Sequence, residues 1–199
     1  MLSVSFNLRL LLASTLLLSA FLLFCFQPMV GKMVLPFLGG AASVWTTAVL
    51  FFQLMLLAGY FYADRLARIE SLKTQMAVHL ALMVVAVFFL PVRFSGAGLG
   101  ADTYRHPVLW EFLGLLKTAG IPYFMVSTTA PLLQSWFSRT DDASGRDPYF
   151  LYAASNTGSL LALLAYPFFI EPVLGVHAQS LYWLAGYVAL GLLAATLSV

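Results

Sequence analysis

Charged side chains are so widely spaced in this chain that six stretches free of Asp, Glu, Lys and Arg open between them, each of 19 residues or more. A hydrocarbon core roughly 30 Å thick is crossed by a helix of about 20 mostly apolar residues, and every one of the six stretches meets that length. In lipid, each backbone donor and acceptor must be satisfied within a helix or a closed barrel. Barrel strands are about 10 residues long with alternating polar positions, and these continuous apolar runs exclude them. The expected fold is all-α, a polytopic transmembrane helix bundle forming one domain. Its six spans lie near 10–30, 43–63, 74–92, 118–138, 148–170 and 178–199.

Composition agrees: 61% of residues are hydrophobic and 9% charged, against about 25% charged in soluble domains. The lipid bilayer is therefore the expected partner. The net charge of +2 is dispersed along the chain, whereas nucleic-acid binding needs a clustered basic face. Cys25 is the only cysteine, so an intrachain disulfide and a cysteine-rich metal centre are ruled out. The first apolar run is too long for the h-region of a signal peptide and reads as a retained helix.

Lys and Arg favour the cytoplasmic side of short loops. With a cytoplasmic N-terminus that side carries Arg9, Arg65, Arg68, Lys73, Arg139 and Arg146, against Lys32, Arg93, Arg105 and Lys117 opposite. Pro36, Gly39 and Gly40 mark a turn after the first helix, with Ser43 suited to cap the second. A Gly-rich loop containing Gly96, Gly98 and Gly100 follows the third span, and a charged turn holding Asp141 and Asp142 precedes Pro148, which suits the start of the fifth. The apolar segment 108–116 reads as an interfacial helix or as the outer end of one long fourth helix. Trp45, Trp110, Trp136, Tyr149, Tyr152 and Trp183 fall near span ends, where rings favour the headgroup level. Val199 ends an apolar run with no polar tail, so a longer polypeptide is expected.

Polar groups at membrane depth usually face the protein interior. The densest set is Ser127-Thr128-Thr129 before Pro131, whose hydroxyls can bond carbonyls that the proline leaves without a donor; they can equally line a polar cavity. Around Asn156, small residues recur at Ala154 and Gly158 and at Ser155 and Ser159, a pattern that lets helices approach closely. Gln53 and His79 complete the interior candidates, Gln53, His79, Thr128 and Asn156. Glu111 and Lys117 are six residues apart, about 120° off a common helical face. Glu111 suits a first helical turn and Lys117 can reach outward to the interface; a buried proton or cation site would need both to turn inward. No P-loop, Rossmann glycine pattern, HExxH or Ser/His/Asp order is present, so neither catalysis, a metal nor a cofactor is expected of this chain.

Residues 21–66, FLLFCFQPMVGKMVLPFLGGAASVWTTAVLFFQLMLLAGYFYADRL, together with STTAPLLQSWF at 127–137, DPYFLYAASNTGSLLALLAYPFFIEP at 147–172 and the closing apolar helix, resemble the membrane domain of bacterial fused major-facilitator/spermidine synthase proteins. The resemblance implies a transporter-like domain in the inner membrane, concerned with small solutes such as polyamines. It also implies a fused or associated aminopropyltransferase-like domain, for which this chain has no soluble region; the alternative role is then a membrane anchor for such an enzyme. Asp64, Arg65 and Arg68 resemble the cytoplasmic loop motif of major-facilitator transporters, although Gly59 is one residue too far upstream and Ala67 replaces a glycine. Six spans are half of a twelve-helix transporter, so a homodimer or further helices would complete it.

Overall fold

The computed structural model describes residues 6–95, 105–139 and 149–197, so the predicted glycine loop around 96–104 and the Asp141–Asp142 turn with Pro148 lie outside the described residues. The described residues form six helical rods. They are α1 (Phe6–Leu38), α2 (Ala42–Ala67), α3 (Leu72–Val87), α4 (107–138), α5 (Tyr149–Val173) and α6 (Val176–Thr196). Four of them, α1, α2, α5 and α6, are long and apolar enough to cross a membrane.

The two remaining rods differ from expectation for separate reasons. Helix α3 ends at Val87 instead of reaching residue 92. Pro91 lacks an N–H and its ring would meet the carbonyl four residues back, which is that of Val87. Its 16 residues rise about 24 Å. Helix α4 joins the apolar segment after Pro107 to the predicted fourth span as one rod, through a π turn at Leu116–Gly120. It is the least apolar rod because it is the most enclosed. Eleven residues of Ile121–Ser138 are buried, where α1, α2 and α3 pack around it, so Ser, Thr and Gln in it need not face lipid.

Helix α1 runs through Pro28 and Pro36 to Leu38, and the turn tightens onto Gly39, whose φ of +73° is open to glycine. Helix α2 accordingly starts early: its N-cap is Ala41, and Ser43 lies inside the first turn with its carbonyl accepting from Thr47 Oγ1 at 2.8 Å. Both π turns, Leu116–Gly120 in α4 and Tyr166–Ile170 in α5, end two residues before a proline, Pro122 and Pro172. A widened turn makes room for a ring that would otherwise strike the preceding carbonyls.

The principal packing pairs are α1 with α5, α4 with α2, α1 with α6, α4 with α3, α1 with α4, and α3 with α6. Exchanging α1 for α4, α2 for α5 and α3 for α6 returns the same set, apart from the small hairpin contact between α1 and α2. The rods therefore form a row, α5–α1–α4–α2, backed by α6 and α3. Glycine sets the tightest contact in each half of the row: Gly158 of α5 lies against the Leu17 backbone of α1, and Gly59 of α2 lies against Ser127 and Thr128 of α4. At the centre, wholly buried Phe26 meets Trp183, Tyr123 and Phe52 with ring centroids 4.6, 5.5 and 6.3 Å away.

Candidate functional site

The row α5–α1–α4–α2 leaves one broad face uncovered, and polar groups gather where α1 meets α5 and α2. A groove of about 630 Å³ opens there, lined by Phe24, Gln27, Lys32, Trp45, Tyr166 and Glu171 among others. Lys32 Nζ donates to Glu171 Oε1 at 2.6 Å, with both side chains partly exposed. One turn deeper, Gln27 Nε2 donates to the hydroxyl of buried Tyr123 at 2.9 Å, leaving the amide oxygen as an acceptor. Tyr166 donates to Gln179 Oε1 at 2.9 Å, and Gln179 in turn donates to the Leu174 carbonyl. Chemically, the groove offers an apolar body with one carboxylate and one ammonium at its mouth. Such a site suits a small solute whose amine competes with Lys32 for Glu171.

The four interior candidates do not converge. Thr128 is fully buried, but its hydroxyl donates to the Met125 carbonyl at 2.7 Å. Ser127 and Thr129 likewise bond Phe124 and Met125, one turn back, and not the Ser127 carbonyl that Pro131 deprives of a main-chain donor. Gln53 and Asn156 are exposed, which corrects their expected interior placement. Helical phase explains both: Phe51, Phe52 and Gly59 turn the inner face of α2 away from Gln53, while Leu151, Gly158 and Ala162 do the same for Asn156. Of the two small-residue pairs in α5, Ala154 with Gly158 lies on the packed side.

His79 is interior. It is buried with neither ring nitrogen bonded, beside Tyr62, whose hydroxyl is also unpartnered, and Trp136. Trp136 and Trp183 are not headgroup rings. Their N–H groups donate inward, to Gln75 Oε1 at 2.8 Å and to the Leu22 carbonyl at 2.9 Å. Gln75 Nε2 also donates to the Ile69 carbonyl at 2.5 Å, and Arg139 reaches the Ala67 carbonyl, so the α2–α3 turn is tied to the end of α4. Trp136→Phe removes one buried donor from this tie and leaves Gln75 Oε1 unpaired. The expected loss is about 1–3 kcal/mol, read as a lower thermal midpoint in detergent by a thiol-reactive dye on Cys25, which is free and buried. Asp64 pairs with Arg68 at 2.8 Å, and Arg65 lies over the Phe61 ring at 4.6 Å, all on the exposed end of α2.

Sequence reasoning missed Gln27, Lys32 and Glu171 as a group. The available signal was one opposite charge closing each of two apolar runs, at 32 and at 171. The class defined by fold and site is an all-helical protein with four helices long and apolar enough to cross a membrane and an open, mostly apolar groove that carries one ion pair at its mouth. Comparison with protein-family models, curated proteins and solved structures finds no match to this chain.

Proposed function

We propose that this chain builds a six-span, transporter-like domain of the inner membrane, with its N-terminus cytoplasmic, that handles small amine-bearing solutes such as polyamines. The observation that carries this is the exchange symmetry of the packing, α1 with α4, α2 with α5 and α3 with α6. Paired three-helix repeats of this kind recur within each half of major-facilitator transporters, the class that the sequence also resembles. Helices α3 and α4 then complete the six spans, α3 with the non-helical stretch 88–92 that follows it and α4 by running through the interior. A second six-helix body, from a second copy or from further chain, covers the open face and encloses the groove. The Lys and Arg distribution supports the orientation, since Arg9, Arg65, Arg68, Lys73 and Arg139 share one end of the bundle.

The second reading is an anchor that positions a spermidine synthase-like enzyme, fused or associated. It is favoured by the consumption of the Thr128, Ser127 and Thr129 hydroxyls within their own helix. Uptake of labelled spermidine into proteoliposomes separates the two. Under the transport proposal uptake exceeds that of protein-free vesicles, Glu171→Gln lowers it about tenfold or more, the worth of one charge-assisted bond, and Thr128→Ala leaves it unchanged. Equal uptake with and without protein favours the anchor.

A further inference from the structure

We propose that Glu111 is a proton-binding site of the membrane domain, exchanging one proton with the aqueous side on which α4 begins. Its side chain is 1% exposed, and Oε1 has no hydrogen-bond partner. The inference rests on the six-span reading, in which α4 crosses the membrane, and an intramembrane carboxyl without a partner is a functional group by default.

Nearby charges do not satisfy Glu111. Lys117, six residues on, is exposed, as are Arg105 and His106 before the helix and Arg93, whose neighbour Phe94 packs on Trp110 of α4. Helix α2, packed against 107–115, carries no charged residue before Asp64, and Lys32 of α1 is held by Glu171. A metal ion is disfavoured, because no group of three His, Cys, Asp or Glu side chains comes together among the described residues, and hard cations need several oxygens. A charged amine would have to shed its water to enter so apolar a site, at a cost that one carboxylate does not repay. A proton satisfies the free oxygen without further ligands, whereas an ionised carboxylate in apolar surroundings is costly.

Two further features make the proton exchangeable. Glu111 lies four residues beyond Pro107, just past the first helical turn and only about 6 Å along the axis from the helix start, so the path for a proton from the aqueous side is short. Directly below it is the π turn Leu116–Gly120, a point of weaker helix geometry where segment 107–115 can shift apart from the rest.

The test is carbodiimide labelling, because dicyclohexylcarbodiimide partitions into apolar sites, takes the proton of a carboxylic acid on nitrogen and is attacked at its central carbon by the carboxyl oxygen, giving an adduct that rearranges to a stable N-acylurea. The purified protein in detergent is treated across a pH series and the adduct located by peptide mass spectrometry. The expected result is an adduct at Glu111, absent from Glu111→Gln, whose yield falls about tenfold per pH unit once the anion predominates. Exposed Glu70 serves as the reference for ordinary carboxyl labelling. No adduct at Glu111 at any pH overturns the proposal, and so does a yield independent of pH, which marks a permanently neutral structural group. If Glu111→Gln fails to purify, the peptide map and pH profile of the unaltered protein decide. Labelling requires no solute movement, so its outcome stands apart from that of the spermidine assay.

Discussion

Gly158→Ala is expected to weaken the bundle more than any other single-methyl change, by about 3 kcal/mol or more, at or beyond the upper end of ordinary overpacking costs. A Cβ at this position would lie 2.2 Å from the Leu17 carbonyl oxygen and 3.0 Å from its carbon and Cα. Those are backbone atoms, so no rotamer change relieves the contact and α5 has to move off α1 as a rod. Ala162, wholly buried one turn on, loses its packing in the same displacement. The gain in helix propensity, about 1 kcal/mol for Ala over Gly, offsets only part of this. Gly59 makes the informative contrast. Its added Cβ meets Ser127 Oγ at 2.2 Å, a side-chain atom. Gly59→Ala is therefore expected to be rescued by Ser127→Ala, while no side-chain substitution at Leu17 rescues Gly158→Ala. Thermal midpoints read through Cys25 accessibility check both, and equal rescue at the two sites would contradict the backbone argument.

That contrast also marks what the sequence could disclose. The charge-free stretches located all six rods, because the cost of charge in lipid acts on composition, which is visible residue by residue. The small residues of α5 pointed to a close helix contact for the same reason: Gly158 tolerates a neighbour whatever its identity. Which way a polar side chain faces is different in kind. Gln53 and Asn156 lie in mid-helix, and their exposure depends on which neighbours α2 and α5 find, a fact settled by Phe51, Gly59 and Gly158 together. The groove was less legible still, since Lys32 and Glu171 stand 139 positions apart in sequence and each alone resembles a residue ending a span. The two π turns were hidden because Pro122 and Pro172 signal a break, and a widened turn that lets the rod continue has no composition of its own. Glu111 was legible as a choice between interface and interior, and its burial without Lys117 is a combination that neither alternative contained.

The ion pair at the groove mouth gives the second large effect, and it is expected to be asymmetric. Glu171 lies in the last turn of α5, where the helix dipole disfavours a negative charge by about 0.3–1 kcal/mol. Lys32 lies six residues before the end of α1, beyond the reach of that effect. Lys32→Glu sets two carboxylates against each other at a contact that now closes at 2.6 Å, and leaves Glu171 at an unfavourable helix end with its counter-ion gone. Glu171→Lys also creates a like-charged pair, but the new ammonium is favoured by the C-terminal dipole. The expected order of stability is the double exchange at or above the native protein, then Glu171→Lys, then Lys32→Glu. The last loss falls between about 1 kcal/mol for an exposed pair and about 3–5 kcal/mol for a buried one, because the two side chains are 32% and 41% exposed. Recovery of the thermal midpoint in the double exchange isolates the pair from the separate demands of each site. If spermidine uptake recovers with it, the pair acts only by joining α1 to α5. If stability returns without uptake, the carboxylate is required on the α5 side of the groove, as expected of the group that receives the amine.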